Sequence, residues 1–408
     1  MQEDPNPHRM ADPAHRAALF ADARRQLAFF APSLRADGGF DLLDFDGRPL
    51  PRTAQALHTT ARLVHSYTLG AAIGFAGAER IIDAGMGFLW SQHRDGVHGG
   101  YLWSVGPDGI SDKLAYGHVF TLLAGSSAKI AGHPQADRLI ADITDVIDTH
   151  FWDEEKGLLR DEFRRDWQVF SSYRGMNSNM HGAEAFMAAF EATAEAEYLS
   201  RAGRILDFFT ARMAAAHGWR IPEHYTETWQ VDPDYSGDPM FRPAGTTPGH
   251  SLEFARLILQ HWDLSGRPEN DAPRRARRLV ERALSDGWRD DGGLVYTLDT
   301  TGRPAIRSRY WWPVTEALGA ISALQKADPQ KTDAIWYHRL WSHSERYLID
   351  HDHGGWIHEL DEAGNPAMRQ FQGKPDIYHS LQATLLPLVS GLSRLPTALQ
   401  SLRLNGQD

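Results

Sequence analysis

The chain has 408 residues, with 42 Lys and Arg against 53 Asp and Glu, and the resulting formal charge of −11 opposes binding to nucleic acid or to an anionic membrane. It contains no cysteine, which excludes disulfides, thiolate metal sites and a cysteine nucleophile and fits a reducing compartment. Residues Met1 to His8 lack the basic and apolar segments of a secretory signal, and no apolar run reaches membrane-spanning length, so the expected location is cytoplasmic.

Apolar residues recur at helical spacing over 14–31, and the first glycine pair, Gly38-Gly39, follows. Helices over 53–73 and 77–93 come next, the first carrying Leu57, Ala61, Val64 and Leu69 and the second Ile81, Ala84, Phe88 and Leu89 on one face. Gly99-Gly100 then precedes helices over 115–131 and 134–150. Gly157 precedes 177–194 and 198–216; Gly218 precedes 248–264 and 273–288; Gly292-Gly293 precedes 312–326 and 333–350; Gly354-Gly355 precedes the last, 377–391. The markers at 38, 99, 157, 218, 292 and 354 stand 61, 58, 61, 74 and 62 residues apart. Each glycine is expected to end the incoming helix, because glycine enters left-handed backbone without a steric cost. Asp, Gly and Pro then supply a hairpin turn, as in Asp46-Gly47-Arg48-Pro49.

A period of this size makes each unit a helical hairpin whose apolar face its neighbours complete. Six such units stack as an open solenoid or close into an all-α (α/α)6 barrel. Closure is preferred, because neither end carries a polar capping repeat, and residues 1–408 are read as one domain. The basic run Arg274, Arg275, Arg277 and Arg278 is assigned to the solvated face of an outer helix. The 13 Trp, 12 Tyr and 18 Phe are plentiful; core packing is the default for most of them, and aromatic faces that the core does not need often stack on sugar rings.

In a closed ring the starts of the inner helices converge at one mouth, and those starts carry unusual residues. They are His58 and Arg62; Tyr116 and His118; Arg174 through His181 with Glu184; Thr246 through Glu253; Arg309 through Pro313 with Glu316; and Lys374 through His379. The stretched interval holds Asp232 to Arg242, a Pro/Gly/Asp loop that reads as a candidate active-site loop or as a passive surface excursion. His181/Glu184 and His250/Glu253 are each three apart, a spacing that holds a metal in helical bundles or lets the carboxylate orient the imidazole. Glu253 and Glu316 could instead act as the paired carboxylates of a glycoside hydrolase. The stronger pattern is two histidines at equivalent helix starts, His250 and His379, with Arg62 from a third. Histidine takes and returns protons near neutral pH, and an arginine stabilises the oxyanion that develops between the two transfers.

On the segments Thr59-Thr60-Ala61-Arg62, Arg174-Gly175-Met176-Asn177-Ser178-Asn179-Met180-His181, Thr247-Pro248-Gly249-His250-Ser251-Leu252-Glu253, Trp312-Pro313-Val314-Thr315-Glu316 and Asp376-Ile377-Tyr378-His379, the chain resembles the N-acylglucosamine 2-epimerase family. The likeness is strongest to its aldose–ketose isomerase branch, which holds mannose and sulfoquinovose isomerases, and runs from about residue 30 to 390. It implies an (α/α)6 barrel acting on a free monosaccharide with no required metal or organic cofactor; between monomer and homodimer the sequence does not decide. It further implies His250 and His379 as the acid/base pair and Arg62 as the group that stabilises an enediolate. His58, Tyr116, Asn177, Met180, His181, Glu253, Trp312, Glu316 and His358 would line the sugar site. The sulfoquinovose-type pattern carries Trp, Gln and Arg where this chain has His58, His358 and Met240. Without that arginine a sulfonate loses its partner, so a sugar neutral at C6 is expected, D-mannose first and D-lyxose second.

Overall fold

The computed structural model describes residues 8–51, 53–235, 237–238, 241–361, 363–374 and 376–404; Met240 lies outside them. In chain order the helices are α1 (Pro13–Phe30), α2 (Leu57–Ala72), α3 (Ala78–Phe88), α4 (Ala115–Ile130), α5 (Ala136–Val146), α6 (Met176–Thr193), α7 (Ala196–Leu206), α8 (Pro248–Leu264), α9 (Ala272–Gly287), α10 (Trp311–Ala327), α11 (Lys331–His343), α12 (Tyr378–Leu385) and α13 (Leu395–Leu404). The even-numbered helices α2 to α12 pack in sequence, and α12 returns to α2, which closes the ring. The outer helices are amphipathic. In α9, Leu279, Val280, Ala283 and Leu284 turn inward while Arg274, Arg278 and Glu281 face solvent. Inner helices are buried nearly all round, so their polar residues must find partners inside the ring.

The chain starts on an outer helix and its partner comes last. Gln26 of α1 donates to Thr384 of α12 (3.0 Å), and Asp22 of α1 accepts from Gln26 (2.7 Å) and the Trp356 indole (3.0 Å). Among the described residues no helix is long and apolar enough to cross a membrane.

Gly99 and Gly100 do not end the incoming helix. A π-helical turn, Leu89–His93, does that, and the glycines close a tight turn whose arms Arg94 and Tyr101 pair. Ile349 and Trp356 pair the same way around Gly354 and Gly355. Gly100 has φ +68°, and a Cβ there would lie 2.6 Å from the Trp167 ring, so conformation and close approach both require glycine.

Two-residue ladders form a collar round the mouth. The residues that open each inner helix pair with the hairpin of the next repeat: Gln55–Ala56 with Ser104–Val105, Lys113–Leu114 with Glu162–Phe163, Arg174–Gly175 with His224–Tyr225, and Arg309–Tyr310 with Glu359–Leu360. Single bridges complete the circuit, Thr246 to Leu298 and, across the seam between last and first repeats, Lys374 to Leu43.

Two expectations are corrected. The basic run is only half solvated, because Arg275 reaches Asp207 (2.8 Å) and Arg277 reaches Asp333 (2.9 Å), both arginines being buried. The sequence pattern also ends one helix early. After α12 the chain crosses the end of the ring opposite the mouth: Ser393 donates to Asp263 of α8 (2.6 Å), the Arg394 amide to Glu191 of α6 (2.9 Å), and Arg403 to the Ala71 carbonyl of α2 (3.2 Å).

Candidate active site

The helix starts converge as a ring requires. Arg62 of α2 donates from Nη1 to Asp376 (3.0 Å) and from Nη2 to the Tyr116 hydroxyl (2.8 Å), so it ties the first, second and last repeats together. Its guanidinium also lies over the rings of Phe120 (4.5 Å) and Tyr378 (4.8 Å). Burial works against its charge, but Tyr116 and Asp376 outweigh that and keep it a cation. For the Asp376 carboxyl burial pushes up, and Arg62 with His379 overrides it, so Asp376 is held below its ordinary value.

His250 and His379 sit at one wall. The Trp312 ring is tilted over His250 at 4.9 Å between centroids and over His379 at 6.0 Å, so one indole touches both imidazoles. Gly249 permits this: a Cβ there would meet the Trp312 ring at 2.4 Å. Each histidine has its own carboxylate. His250 Nδ1 is 3.0 Å from both Glu223 oxygens, and His379 Nδ1 is 2.8 Å from Glu316 Oε1. A carboxylate accepting from Nδ1–H fixes the tautomer and leaves Nε2 as the atom that exchanges a proton.

The i,i+3 spacing therefore has different outcomes at its two occurrences. Glu184 does face its own histidine, His181 (3.5 Å), whereas His250 takes Glu223, and Glu253 points instead to His181 (3.6 Å). Single ligand atoms of His181, Glu184 and Glu253 lie within 4.8 Å of one another, as do those of Glu253, Glu316 and His379, so either trio has metal-ligand spacing. The Arg256 guanidinium already lies against all three carboxylates, 3.6 Å from Glu184, 3.4 Å from Glu253 and 3.2 Å from Glu316. Glu253 and Glu316 thus share a buried cation rather than flank an open cleft, as a glycosidase pair must.

Three further histidines face the mouth and stay neutral. His58 stacks on Trp103 (5.1 Å) and meets the edge of Tyr116 (5.6 Å); burial, then Arg62, pushes it down to about 3. Burial takes His181 and His358 to about 4 against the opposing pull of Glu184 and Asp376 respectively. His358 Nε2–H donates to the Asp376 carbonyl (3.1 Å), and its Nδ1 is buried with no protein partner among the described residues, as is Nδ1 of His58. Asn177 is half-buried at the start of α6 with its Oδ1 likewise unpartnered.

Two residues singled out in the sequence lie elsewhere. Met180 is fully buried in the apolar core and offers no surface to the mouth. His118 is a brace: its Nε2 accepts from the Tyr101 amide (3.0 Å) and its Nδ1–H donates to the Leu114 carbonyl (2.8 Å). Tyr235 and Arg242, both before α8, pack on the rim. Arg242 pairs with Glu162 (2.6 Å), and Tyr235 lies over His224 (4.1 Å), the neighbour of Glu223.

Sequence reasoning missed Glu223 and Arg256. Glu223 lies in irregular chain after Gly218, with no period to mark it. Arg256 had a signal, since it is a charged residue inside the buried run Leu252 to Leu259.

A sequence model of the family described as N-acylglucosamine 2-epimerase (GlcNAc 2-epimerase) matches residues 38–383. The D-mannose isomerase of Thermobifida fusca is 40% identical over 400 residues, covering 95% of this chain and 98% of that protein. That of Pseudomonas cannabina pv. alisalensis is 38% identical over 403 residues, covering 96% and 97%. A crystal structure of D-mannose isomerase superposes with a TM-score of 0.87 at 31% identity, covering 93% of this chain and 99% of that one. With a match of this extent, and with the conjunction of ring and helix-start residues described above, the chain belongs to the N-acylglucosamine 2-epimerase family.

Proposed function

We propose that the protein is a cytoplasmic aldose–ketose isomerase, a single catalytic domain that interconverts D-mannose and D-fructose and accepts D-lyxose as a second substrate. The observation that carries the chemistry is the pair His250 and His379 against one indole, each tied through Nδ1 to its own carboxylate. The substrate assignment draws on the full-length likeness to D-mannose isomerases.

In this reading one histidine first assists ring opening by moving the anomeric hydroxyl proton. His379 Nε2 then takes the C2 proton while His250 gives a proton to O1, and a cis-enediol results. His250 next receives the O2 proton, and His379 returns its proton at C1 to give the ketose. Arg62 faces the oxygen on which negative charge develops and, held as a cation by Asp376 and Tyr116, stabilises it without rearrangement. The neutral imidazoles of His58, His181 and His358, with Asn177 and Tyr116, serve hydroxyl groups, and Trp312 covers the apolar face of the sugar. No step requires a metal or organic cofactor.

The test is incubation with D-mannose in deuterated water followed by NMR. Fructose labelled at C1 is the expected product. Glucose labelled at C2 would make the protein an epimerase, and no conversion of mannose, lyxose, glucose, N-acetylglucosamine or sulfoquinovose would overturn the reading. EDTA in the same assay leaves the rate unchanged.

A further inference from the structure

Beneath the site lies a buried charge cluster that the proton transfers themselves do not use. Arg256 is 2% exposed on α8, about 1.7 turns below His250. Nε and Nη2 donate to Glu316 Oε2 at 3.3 and 3.2 Å, Nη2 also to Glu253 (3.4 Å), and Nη1 to Gln260 (3.3 Å) while lying 3.6 Å from Glu184. The other oxygen of Glu316 holds His379, and the other oxygen of Glu184 accepts from the hydroxyl of Tyr378. One guanidinium therefore anchors the carboxylates that hold two consecutive side chains of α12.

Three carboxyls cannot all ionise around one buried cation. Burial pushes Glu253 well up, with Glu316 adding to the push against Arg256, so Glu253 is the one that keeps its proton. Burial also works against ionised Glu316 and Glu184. Arg256 and the His379 hydrogen bond outweigh it at Glu316, and the close contact of His181 (3.5 Å), together with Arg256, does so at Glu184. From α2, His65 and Arg62 also face the cluster. His65 is pushed down to about 4, chiefly by burial, and stays neutral; Arg62, engaged by Asp376, pulls Glu253 down without outweighing its burial. The ionisation of Glu316 thus depends on Arg256 and is opposed by the neighbouring charge of Glu184.

We propose that Arg256 is a positioning residue for the isomerisation: through its two donors on Glu316 it fixes the carboxylate that orients His379, and with it the acid limit of the reaction. The inference rests on the functional reading above. When Glu316 takes up a proton it no longer stabilises the imidazolium, and the forward step stops. The acidic limb of the kcat/KM profile therefore reports the Glu316–His379 unit as a pair.

The experiment compares Arg256→Met, Arg256→Lys and Glu184→Gln in the full-length protein, with pH profiles of mannose conversion and the side-chain 13C resonance of Glu316 followed through a pH titration without substrate. Arg256→Met is expected to lower kcat about 10- to 100-fold with little change in KM. Its acidic limb and the Glu316 resonance both move up by about 1 to 3 pH units. Arg256→Lys keeps the charge without the fork and falls between. Glu184→Gln removes a competing negative charge and moves both readouts the opposite way, to lower pH. A rate loss in Arg256→Met with an unmoved limb and resonance overturns the proposal, because a purely structural arginine would behave that way. If Arg256→Met shows no cooperative melt, Glu184→Gln decides: a Glu316 titration that stays or moves up refutes the proposal. The resonance needs no substrate, so a wild type that converts no aldose refutes the functional reading and leaves the Arg256 test standing.

Discussion

At the scale of single residues the site depends on what holds each imidazole. Glu223 accepts from Nδ1 of His250 through both oxygens and is almost fully buried, so its replacement is felt directly at the ring. Glu223→Gln keeps the size but removes the charge and turns one oxygen into a donor, which frees His250 to adopt the wrong tautomer. The expected loss is about 10²- to 10⁴-fold in kcat with KM near wild type. Steady-state rates with mannose check it, and an equal loss spread over KM would show that Glu223 binds substrate instead. His250, His379 and Arg62 were legible in the sequence because they recur at equivalent helix starts. Glu223 was not, because a carboxylate reaching a helix from irregular chain has no periodicity, and the carboxylate three residues from His250, Glu253, was the wrong partner. Glu253 belongs to the cluster around Arg256, and only the three-dimensional arrangement shows which of two nearby acids an imidazole takes.

At the scale of elements, the fourth residue of an inner helix repeatedly braces the chain outside it. His118 of α4 binds the turn at Tyr101; Asn179 of α6 accepts from the Leu159 amide (2.7 Å) and donates to the Leu159 and Gly175 carbonyls; Thr60 of α2 meets His93 (3.0 Å). His118 is pushed down to about 3 by burial, so the brace is a neutral ring donating from one nitrogen and accepting at the other. His118→Leu would leave the buried Tyr101 amide without an acceptor and the Leu114 carbonyl without its extra donor. The expected cost is about 2 to 4 kcal/mol, read as a lower Tm, with kcat per folded molecule unchanged because the ring faces the hairpin and not the mouth. This division of labour explains which parts of the pattern could be read early. Helical spacing and glycine markers gave the elements to within a few residues, since burial of one face dictates both. Whether a polar residue at a helix start points to the mouth or to its own hairpin turns on a rotation of one residue, about 100° in a helix. Tyr116 and His118 lie two apart and so take opposite duties. The missed α13 has another cause: it lies outside the repeat, and it packs on α2 and α4, with Arg403 at the end of α2 on the far side of the ring.

For the whole molecule, the consequence of closing the ring is concentrated at one seam. Arg62 comes from the first repeat while Asp376 and His379 come from the last, so the ion pair that organises the mouth also spans the junction. The same junction is pinned from outside by Lys374. This lysine is fully buried, donates to Asp350 (2.6 Å) and to the carbonyls of Gly354 (2.6 Å) and Phe45 (3.1 Å), and its backbone bridges to Leu43. Lys113 makes the matching contacts in the second repeat, to Asp95 (3.3 Å) and to the Gly99 carbonyl, away from the seam. Removing either cation leaves buried carbonyls short of a donor, while Asp95 keeps Arg165 and half-buried Asp350 keeps the Asp352 and His353 amides, so Lys374→Met and Lys113→Met should each cost about 1 to 3 kcal/mol. They should differ in activity. Lys113→Met leaves the Arg62–Asp376 contact where it is, and molecules that remain folded should keep their kcat. Lys374→Met loosens the repeats that carry Arg62 and His379 relative to each other, and a misplacement of about 1 Å at reacting groups costs on the order of 100-fold. Thermal melts and mannose turnover on the two variants, measured well below both Tm values, check this: matched stability losses with a kcat defect confined to Lys374→Met are expected, and equal kcat in the two would show that the seam is only a structural joint.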